Sequence, residues 1–120
     1  YAADNTQPAP SATDYAMVGI NGVDANNLSE VNGQVDSQSL ATVAAIQTLT
    51  DSVNVIQNYA VDNTQTAPTV TDYALVGVTG VTVNNLSEVN GQVGSQSLTT
   101  VAAIQILTDS VNVIQSYALD

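Results

Sequence analysis

The chain contains no lysine, no arginine and no histidine, so none of its side chains can carry a positive charge. Its eleven aspartates and glutamates have no cationic side chain to pair with, and the formal net charge is -11. Nucleic acids and anionic membranes are bound through cationic side chains beside phosphates, so the composition argues against both as partners. Catalysis that depends on a histidine or on a lysine amine is excluded as well.

Cysteine, tryptophan and phenylalanine are also missing. Without cysteine there is no disulfide framework, no thiolate metal site and no thiol nucleophile. No run of about 18 apolar residues occurs, so the sequence predicts no transmembrane helix. No basic segment followed by an apolar one opens the chain, and we expect no signal peptide within it. An acidic chain without lysine, rich in Asn, Thr, Val and Ala, favours a secreted or cell-surface location.

What the chain does have is an internal repeat with a period of 58 residues. Residues 1–58 align with residues 59–116 without a gap; 13 of the 58 positions differ, which leaves 45 identities. The predicted domains are repeat 1 over 1–58, repeat 2 over 59–116, and the start of a third copy over 117–120. Tandem near-identical copies of this kind are typical of a longer array, from which we expect the chain to come.

Apolar spacing predicts three helices in each copy, and therefore an all-α fold of two tandem three-helix bundles. Residues three and four apart form one stripe from Leu40 to Tyr59, with Ser37 or Ser39 as its N-cap. Thr13 and Asp24 are the predicted caps of the two shorter helices. The predicted helices are about 13–18, 24–35 and 39–60 in repeat 1, after a proline-bearing linker over 1–12, and about 71–76, 82–93 and 97–118 in repeat 2.

An all-β sandwich of surface repeats is the alternative fold. Val, Thr and Asn are poor helix formers, and residues 73–83 alternate partly with a period of two. The stripe from Leu40 to Tyr59 is much too long for one strand, however, because strands usually have about 3–10 residues. Its steady helical period favours the all-α interpretation.

The segment GVTVNNLSEVNGQVGSQSLTTVAAIQILTDSV, residues 80–111, resembles the GA module of bacterial surface proteins. The resemblance is carried by a Gly-Val pair before the middle helix, the Leu and Val face of that helix, and the TVAAI segment of the last helix. GA modules are small three-helix bundles best known for binding serum albumin. Albumin-binding GA modules are lysine-rich, so the resemblance implies the topology here and not the ligand. The repeat style and the lack of basic residues also resemble the tandem repeats of large marine-bacterial adhesins.

The sequence predicts no catalytic residue and no cofactor-binding residue, and we do not expect an enzyme. Ca²⁺ prefers carboxylate and carbonyl oxygens, and the only candidates for it are Asp4, Asp14, Asp62 and Asp72. No EF-hand or glycine-rich nonapeptide pattern accompanies them. Asp14 and Asp72 are also explained as first-turn acids that favour a helix start. Two glycosylation sequons fall in a predicted helix: Asn27-Leu28-Ser29 and Asn85-Leu86-Ser87.

Five residues near the joints between copies are predicted to form the inter-repeat interface: Tyr1, Tyr59, Tyr117, Ile56 and Ile114. Tyrosine suits such a place because its ring can be buried while its hydroxyl reaches a polar partner or solvent. The sequence therefore favours a structural spacer in the stalk of a bacterial adhesin, with neighbouring repeats as its partners. The alternatives are a self-assembling subunit of an extracellular filament and a GA-like protein-binding module.

Overall fold

A computed structural model describes all 120 residues, from Tyr1 to Asp120. The protein is all-α, with six helices and no strand, so the β-sandwich alternative is wrong. The helices are α1 (Ala12–Met17), α2 (Leu28–Ser37), α3 (Val43–Val61), α4 (Val70–Leu75), α5 (Leu86–Gln96) and α6 (Val101–Leu119). None of the six is both long enough and apolar enough to cross a membrane.

The chain divides into two compact units, Tyr1–Asn54 and Val55–Asp120. The first unit holds α1, α2 and the beginning of α3, and the second holds the end of α3 with α4, α5 and α6. The boundary between units therefore lies inside α3, four residues (58 minus 54) before the boundary between sequence copies. One sequence copy thus supplies helix to both units.

Each unit has its own apolar core, built from residues three and four apart on the helices and from the loop that follows the first short helix. Burying an aliphatic side chain of this size contributes about 1.5–3 kcal/mol relative to leaving it exposed. The buried apolar residues of the first unit are Tyr15, Ile20, Val31, Val35, Leu49 and Val53. Those of the second unit are Ile56, Ala60, Tyr73, Val76, Val78, Val81, Val89, Val93 and Ile104.

The short helix α1 is held at its start by a capping box. The Ser11 hydroxyl accepts from the Asp14 backbone N–H at 3.2 Å, and the Asp14 carboxylate accepts from the Ser11 backbone N–H at 2.9 Å. These two bonds satisfy backbone donors that the first turn leaves without a partner. Thr13 is therefore wrong as the predicted cap, because it already lies inside the helix. Thr69 and Asp72 form the equivalent box at the start of α4.

The end of α1 follows the predicted glycine signal. Gly19 has φ +89, its N–H donates to the Ala16 carbonyl at 3.0 Å, and the Ile20 N–H donates to the Tyr15 carbonyl at 3.0 Å. This pair of bonds is a Schellman motif, which needs a left-handed residue after the C-cap. Ser39 takes the left-handed place after α2, with φ 52. A residue other than glycine in that conformation costs about 1–2 kcal/mol.

Helix α2 begins four residues later than predicted, at Leu28 rather than Asp24. The Asp24 carboxylate accepts from the backbone N–H groups of Asn26 at 2.8 Å and Asn27 at 3.3 Å. It therefore caps a single turn that precedes the helix. The prediction of Asp24 as helix cap is wrong for this reason, since hydrogen bonding within a turn competes with the helix.

Helix α3 also begins later than predicted, at Val43 rather than residue 39. Ser37 is the last residue of α2 and Ser39 is left-handed, so neither is the predicted N-cap. Thr42 is the N-cap of α3 instead, because its hydroxyl accepts from the Ala45 N–H at 3.2 Å. In the second copy α5 begins at Leu86 instead of residue 82, and α6 begins at Val101 instead of residue 97. The equivalent turn and cap residues cause both shifts.

Candidate functional site

A buried tyrosine and asparagine connect the linker of the first unit to two of its helices. The Tyr15 hydroxyl donates to the Asn32 side-chain oxygen at 2.5 Å, and the Asn32 amide donates to the Pro10 carbonyl at 2.9 Å. Burial raises the pKa of Tyr15 to about 12, with a smaller contribution from nearby Tyr1 and Asp14. The phenol therefore stays protonated as a hydrogen-bond donor and serves as a structural group.

The second unit contains the same arrangement. The Tyr73 hydroxyl donates to the Asn90 side-chain oxygen at 2.5 Å, and the Asn90 amide donates to the Pro68 carbonyl at 2.9 Å. Burial also raises the pKa of Tyr73. Pro68 lies at the position of Pro10, so the one proline that both linkers share provides the carbonyl in each copy.

A second group of amides ties the loop after α1 to the long helix. The Asn27 amide donates to the Gly22 carbonyl at 2.7 Å and to the Asn54 side-chain oxygen at 2.6 Å. The Asn54 amide donates to the same Gly22 carbonyl at 3.1 Å. Gly22 has φ +97, and a Cβ there would lie 2.9 Å from the Asn54 amide nitrogen, so both the backbone and the space require glycine.

This second arrangement also recurs in the other unit, with matching bonds. The Asn85 amide donates to the Gly80 carbonyl at 2.8 Å and to Asn112 at 2.6 Å. Asn27 and Asn85 are the acceptor residues of the two sequons, and both are buried with their amide nitrogens hydrogen bonded. The folded chain therefore does not present either sequon for glycosylation.

A glutamine on each long helix completes the attachment of the loop. The Gln47 side-chain oxygen accepts from the Asn21 N–H at 2.8 Å, and its amide donates to the Asn21 carbonyl at 2.9 Å and to Asp51 at 2.9 Å. Gln105 makes the same pair of bonds with the Thr79 backbone, at 2.8 Å and 2.9 Å. Both glutamines bind the backbone of the loop residue, which is Asn in one copy and Thr in the other, and the Thr79 hydroxyl adds a longer bond to Gln105 at 3.4 Å.

These hydrogen-bonded polar groups stabilise the fold. No buried side-chain nitrogen or oxygen lacks a hydrogen-bond partner. The groups are amides, hydroxyls and carbonyls that hydrogen bond to one another. Such fully satisfied networks fix a single arrangement of the core.

The four residues predicted as calcium candidates each make local hydrogen bonds. Asp4 accepts from the Thr6 hydroxyl at 2.6 Å and from its N–H at 3.0 Å, and these bonds hold the pKa of Asp4 below its usual value. Asp62 makes the same bonds to Thr64, with the same effect on its pKa. Asp14 and Asp72 belong to the capping boxes.

No three acidic side chains come together anywhere in the structure. The acidic residues named in the sequence analysis are therefore not gathered into a shared metal site of that kind. Calcium binding stays a prediction, and the geometry offers it no cluster of carboxylates.

The predicted interface residue Tyr59, the first residue of repeat 2, packs on Gly94 of the same copy inside the second unit. A Cβ placed on Gly94 would lie 3.3 Å from the Tyr59 ring and 3.3 Å from the Asn63 Cβ. Two residues earlier, the Gln57 amide donates to the Thr99 carbonyl at 3.2 Å. The Gln57–Thr99 bond thus joins repeat 1 to repeat 2, whereas the packing of Tyr59 on Gly94 lies within repeat 2.

The other predicted interface residues differ in their surroundings. Ile56 is buried and Tyr1 is half-buried, whereas Ile114 and Tyr117 are exposed. Ile114 and Tyr117 lie 58 residues after Ile56 and Tyr59, at the equivalent positions of the repeat. The same side chains are therefore covered at the end of α3 and uncovered at the end of α6.

The hydrogen-bonded side-chain amides were not predicted from the sequence. Their signal is that Asn27, Asn32, Gln47 and Asn54 recur unchanged in the second copy, although the two copies differ at 13 positions. Asn32 also falls on the apolar side of α2, one residue after Val31 and three before Val35. A polar residue repeated on an apolar helix face is typical of a buried hydrogen bond.

No protein-family model, curated protein or solved structure matches the chain. The function is therefore argued from the geometry of these residues, and the resemblance to GA modules and to adhesin repeats stays a prediction.

Proposed function

We propose that the chain is a structural spacer: two repeats of a long secreted or cell-surface bacterial protein of the adhesin-stalk type. The observation that supports this most strongly is the passage of α3 through the boundary between the two compact units. A domain evolved for catalysis or for a separate ligand needs no such sharing of a helix. An array of repeats, in which each part contacts mainly its neighbours, does need its parts to share structure in this way.

The sharing has an energetic consequence at the joint. Ile56, from the first sequence copy, is buried in the second unit beside Ala60 of the second copy, and Tyr59 packs on Gly94 there. A sequence copy of 58 residues is small, and small domains bury too little surface to be very stable alone. The second unit therefore draws part of its core from the copy before it.

The charge and the polar contacts also suit an extended extracellular role. All charged side chains have the same sign, which keeps neighbouring chains soluble and apart. The loops are attached by amide and hydroxyl hydrogen bonds, with no ion pairs between side chains. Such bonds are much less sensitive to salt than surface ion pairs, so changes in ionic strength leave the units intact.

The spacer function is tested by length. Chains with two, four, six and eight copies are purified, and the maximum dimension of each is measured by small-angle X-ray scattering. A spacer adds the same increment for every pair of copies. A dimension that rises only as the cube root of the copy number would mean that the copies collapse into a globule, and the spacer function would then be wrong.

The joint is tested by stability, with fragments cut at two different places. Residues 59–120 begin at the sequence boundary, whereas residues 43–120 also include the whole of α3. We expect the longer fragment to melt at a higher temperature, because it retains Ile56 and the helical setting of Tyr59 and Ala60. Equal melting temperatures would show that the end of α3 does not stabilise the second unit.

A further inference from the structure

Asparagine is followed by glycine at three places in the chain: Asn21–Gly22, Asn32–Gly33 and Asn90–Gly91. This dipeptide is prone to lose ammonia from its side chain, because the glycine backbone nitrogen can attack the side-chain amide of the asparagine. Glycine has no Cβ to shield that nitrogen, and its backbone is free to adopt the angles that ring closure needs. The reaction at each pair therefore depends on how the fold holds the amide and the nitrogen.

Two of the three pairs are protected by the fold. Asn32 and Asn90 lie in α2 and α5, and each is only 9% exposed. Each side-chain oxygen accepts from a buried tyrosine hydroxyl, and each amide donates to a proline carbonyl at 2.9 Å. The glycine that follows lies inside the helix, where its N–H bonds to the carbonyl four residues earlier. Ring closure at either pair would require the buried bonds and the helix to open together.

The third pair lies in the loop after α1 and is open to reaction. Asn21 is exposed, and neither its side chain nor the Gly22 N–H makes a hydrogen bond. The Gln47 side chain accepts from the Asn21 N–H at 2.8 Å and donates to the Asn21 carbonyl at 2.9 Å. The second of these bonds polarises the peptide group that joins Asn21 to Gly22, and so makes the Gly22 N–H easier to ionise.

We propose that Asn21 is a site of spontaneous deamidation, and that the folded chain reacts there and at neither of its other Asn–Gly pairs. The Gly22 nitrogen attacks Cγ of Asn21 and forms a new C–N bond. The bond from Cγ to the side-chain nitrogen breaks, and ammonia leaves with the proton of the Gly22 N–H. Water then opens the cyclic imide. Opening at Cγ gives aspartate, and opening at the backbone carbonyl gives isoaspartate, in which the main chain runs through the side chain.

The two products have different consequences for the loop. Aspartate leaves the backbone unchanged, so both bonds to Gln47 are retained. Isoaspartate lengthens the main chain by one carbon just before Gly22, whose carbonyl accepts from the amides of Asn27 at 2.7 Å and Asn54 at 3.1 Å. The extra carbon moves that carbonyl out of line with both amides. The isoaspartate form is therefore expected to be less stable than the parent, whereas the aspartate form is not.

The second copy provides a natural comparison. Thr79 lies at the position of Asn21, and its backbone makes the same pair of bonds with Gln105. Gly80 has φ +93, and a Cβ there would lie 3.0 Å from the Asn112 amide nitrogen, so the loop requires glycine in both copies. The residue before the glycine is the one that differs. A copy with threonine at this place cannot deamidate there, because it has no side-chain amide.

The main experiment incubates the folded 120-residue chain at mildly alkaline pH, where the attacking nitrogen loses its proton more readily. A protease that cleaves after glutamate cuts at Glu30 and Glu88 and gives the peptides 1–30, 31–88 and 89–120, each with one Asn–Gly pair. Mass spectrometry then detects the replacement of NH by O. We expect this mass gain in peptide 1–30 alone. In the control, the chain unfolded in guanidinium chloride, all three peptides are expected to gain mass.

Two outcomes of this experiment would overturn the proposal. One is the absence of a mass gain in peptide 1–30 of the folded chain under conditions that modify the unfolded chain. The other is a gain in peptide 31–88 or 89–120 of the folded chain that is as fast as the gain in peptide 1–30.

Two reciprocal variants test whether the dipeptide in this loop is responsible. Asn21→Thr copies the residue of repeat 2 and is expected to abolish the mass gain in peptide 1–30. Thr79→Asn copies the residue of repeat 1 and is expected to introduce a gain in peptide 31–88 at a similar rate. Circular dichroism checks that both variants remain folded. Persistence of the gain in Asn21→Thr, or its absence in Thr79→Asn, would assign the reaction to other features of the chain and overturn the proposal.

The isoaspartate product is detected with a methyltransferase that acts on isoaspartate carboxylates and a labelled methyl donor. Label is expected in the incubated chain and not in the freshly purified Asn21→Asp variant, which represents the aspartate product. Thermal unfolding of the incubated chain is expected to show a second population with a lower melting temperature, whereas Asn21→Asp melts like the parent. An incubated chain that carries the label but melts like the parent would contradict the predicted effect on the loop.

The reaction requires only the folded loop after α1, so it is independent of the proposed spacer function. It is measured by mass on a single chain, whereas the spacer function is judged from the length of covalent arrays. Either can fail while the other holds. In an array, copies with asparagine at this place are expected to change with time, and copies with threonine are not.

Discussion

Replacing Tyr73 by phenylalanine is expected to lower the unfolding free energy of the second unit by about 1–3 kcal/mol. The Tyr73 side chain has no exposed surface, and its hydroxyl donates to the Asn90 oxygen at 2.5 Å. After the substitution that oxygen has lost its donor in a place that water does not reach. Asn90 keeps only the bond that its amide donates to Pro68.

The effect is large enough to measure by thermal unfolding. In domains of about 60–100 residues, each kcal/mol changes the melting temperature by about 4–8 °C, so the expected decrease is roughly 4–24 °C. Far-ultraviolet circular dichroism follows the loss of helix, and urea titration gives the free energy independently. An unchanged urea slope would show that stability, and not the compactness of either state, has changed.

The matched control is Tyr117→Phe, which removes a hydroxyl from a side chain that is 85% exposed. Its effect is expected to stay within about 0.5 kcal/mol, as for most surface substitutions. Tyr15→Phe should resemble Tyr73→Phe, because Tyr15 makes the same bond to Asn32. Equal effects for Tyr73→Phe and Tyr117→Phe would refute the idea that the buried hydrogen bond stabilises the unit.

Three further predictions concern the backbone, the copy joint and alkaline pH. Ser39→Gly should raise the unfolding free energy by about 1 kcal/mol in urea titration, because φ 52 suits glycine; a loss would contradict the left-handed assignment. Gly91→Ala should stabilise α5 by about 0.5–1 kcal/mol, since a Cβ there meets nothing within 4 Å. Gly94→Ala should gain less or lose stability, because its Cβ would meet a tyrosine ring at 3.3 Å; equal gains for the two alanines would argue against that packing. The pKa of Tyr15 rises from 10.0 to about 12 on folding, so its contribution is complete below pH 10 and is lost as pH rises to 12. Urea midpoints that stay constant across this range would contradict the shift.

The type and centre of each helix were predictable because apolar side chains recur three and four residues apart. The first residue of each helix was not predictable in this way, because the apolar pattern extends beyond the helix into the turn that precedes it. Leu40 fits the stripe of α3 by spacing, yet it lies outside the helix, where its N–H closes the turn after α2 by donating to the Val35 carbonyl at 3.0 Å. Spacing alone cannot tell a helical residue from an apolar residue in the turn before it.

The polar part of the structure was the harder part to predict. Asparagine is usually exposed, so Asn27 and Asn32 look like surface residues when taken one at a time. Their burial depends on partners 22 to 27 positions away, such as Pro10 and Asn54. Contacts of that range depend on the packed fold. The sequence does show the unchanged recurrence of these asparagines, but not what each one binds.

The burial of the five predicted interface residues depends equally on what lies beside them. Ile56 and Ile114 have the same neighbours in sequence for several residues on either side, yet one is buried and the other exposed. No local pattern can separate them. The difference comes from long-range packing within the unit that spans Val55–Asp120, which no short stretch of sequence encodes.

The position of the unit boundary inside α3 also bears on how such a gene can change length. An unequal crossover at matching positions of two copies keeps the register of the repeat, so every long helix in the product is whole. The product therefore keeps the end of one long helix beside the copy that follows it. Copies can be added or lost in this way without a new contact having to arise, so the number of repeats can change while the joint stays the same.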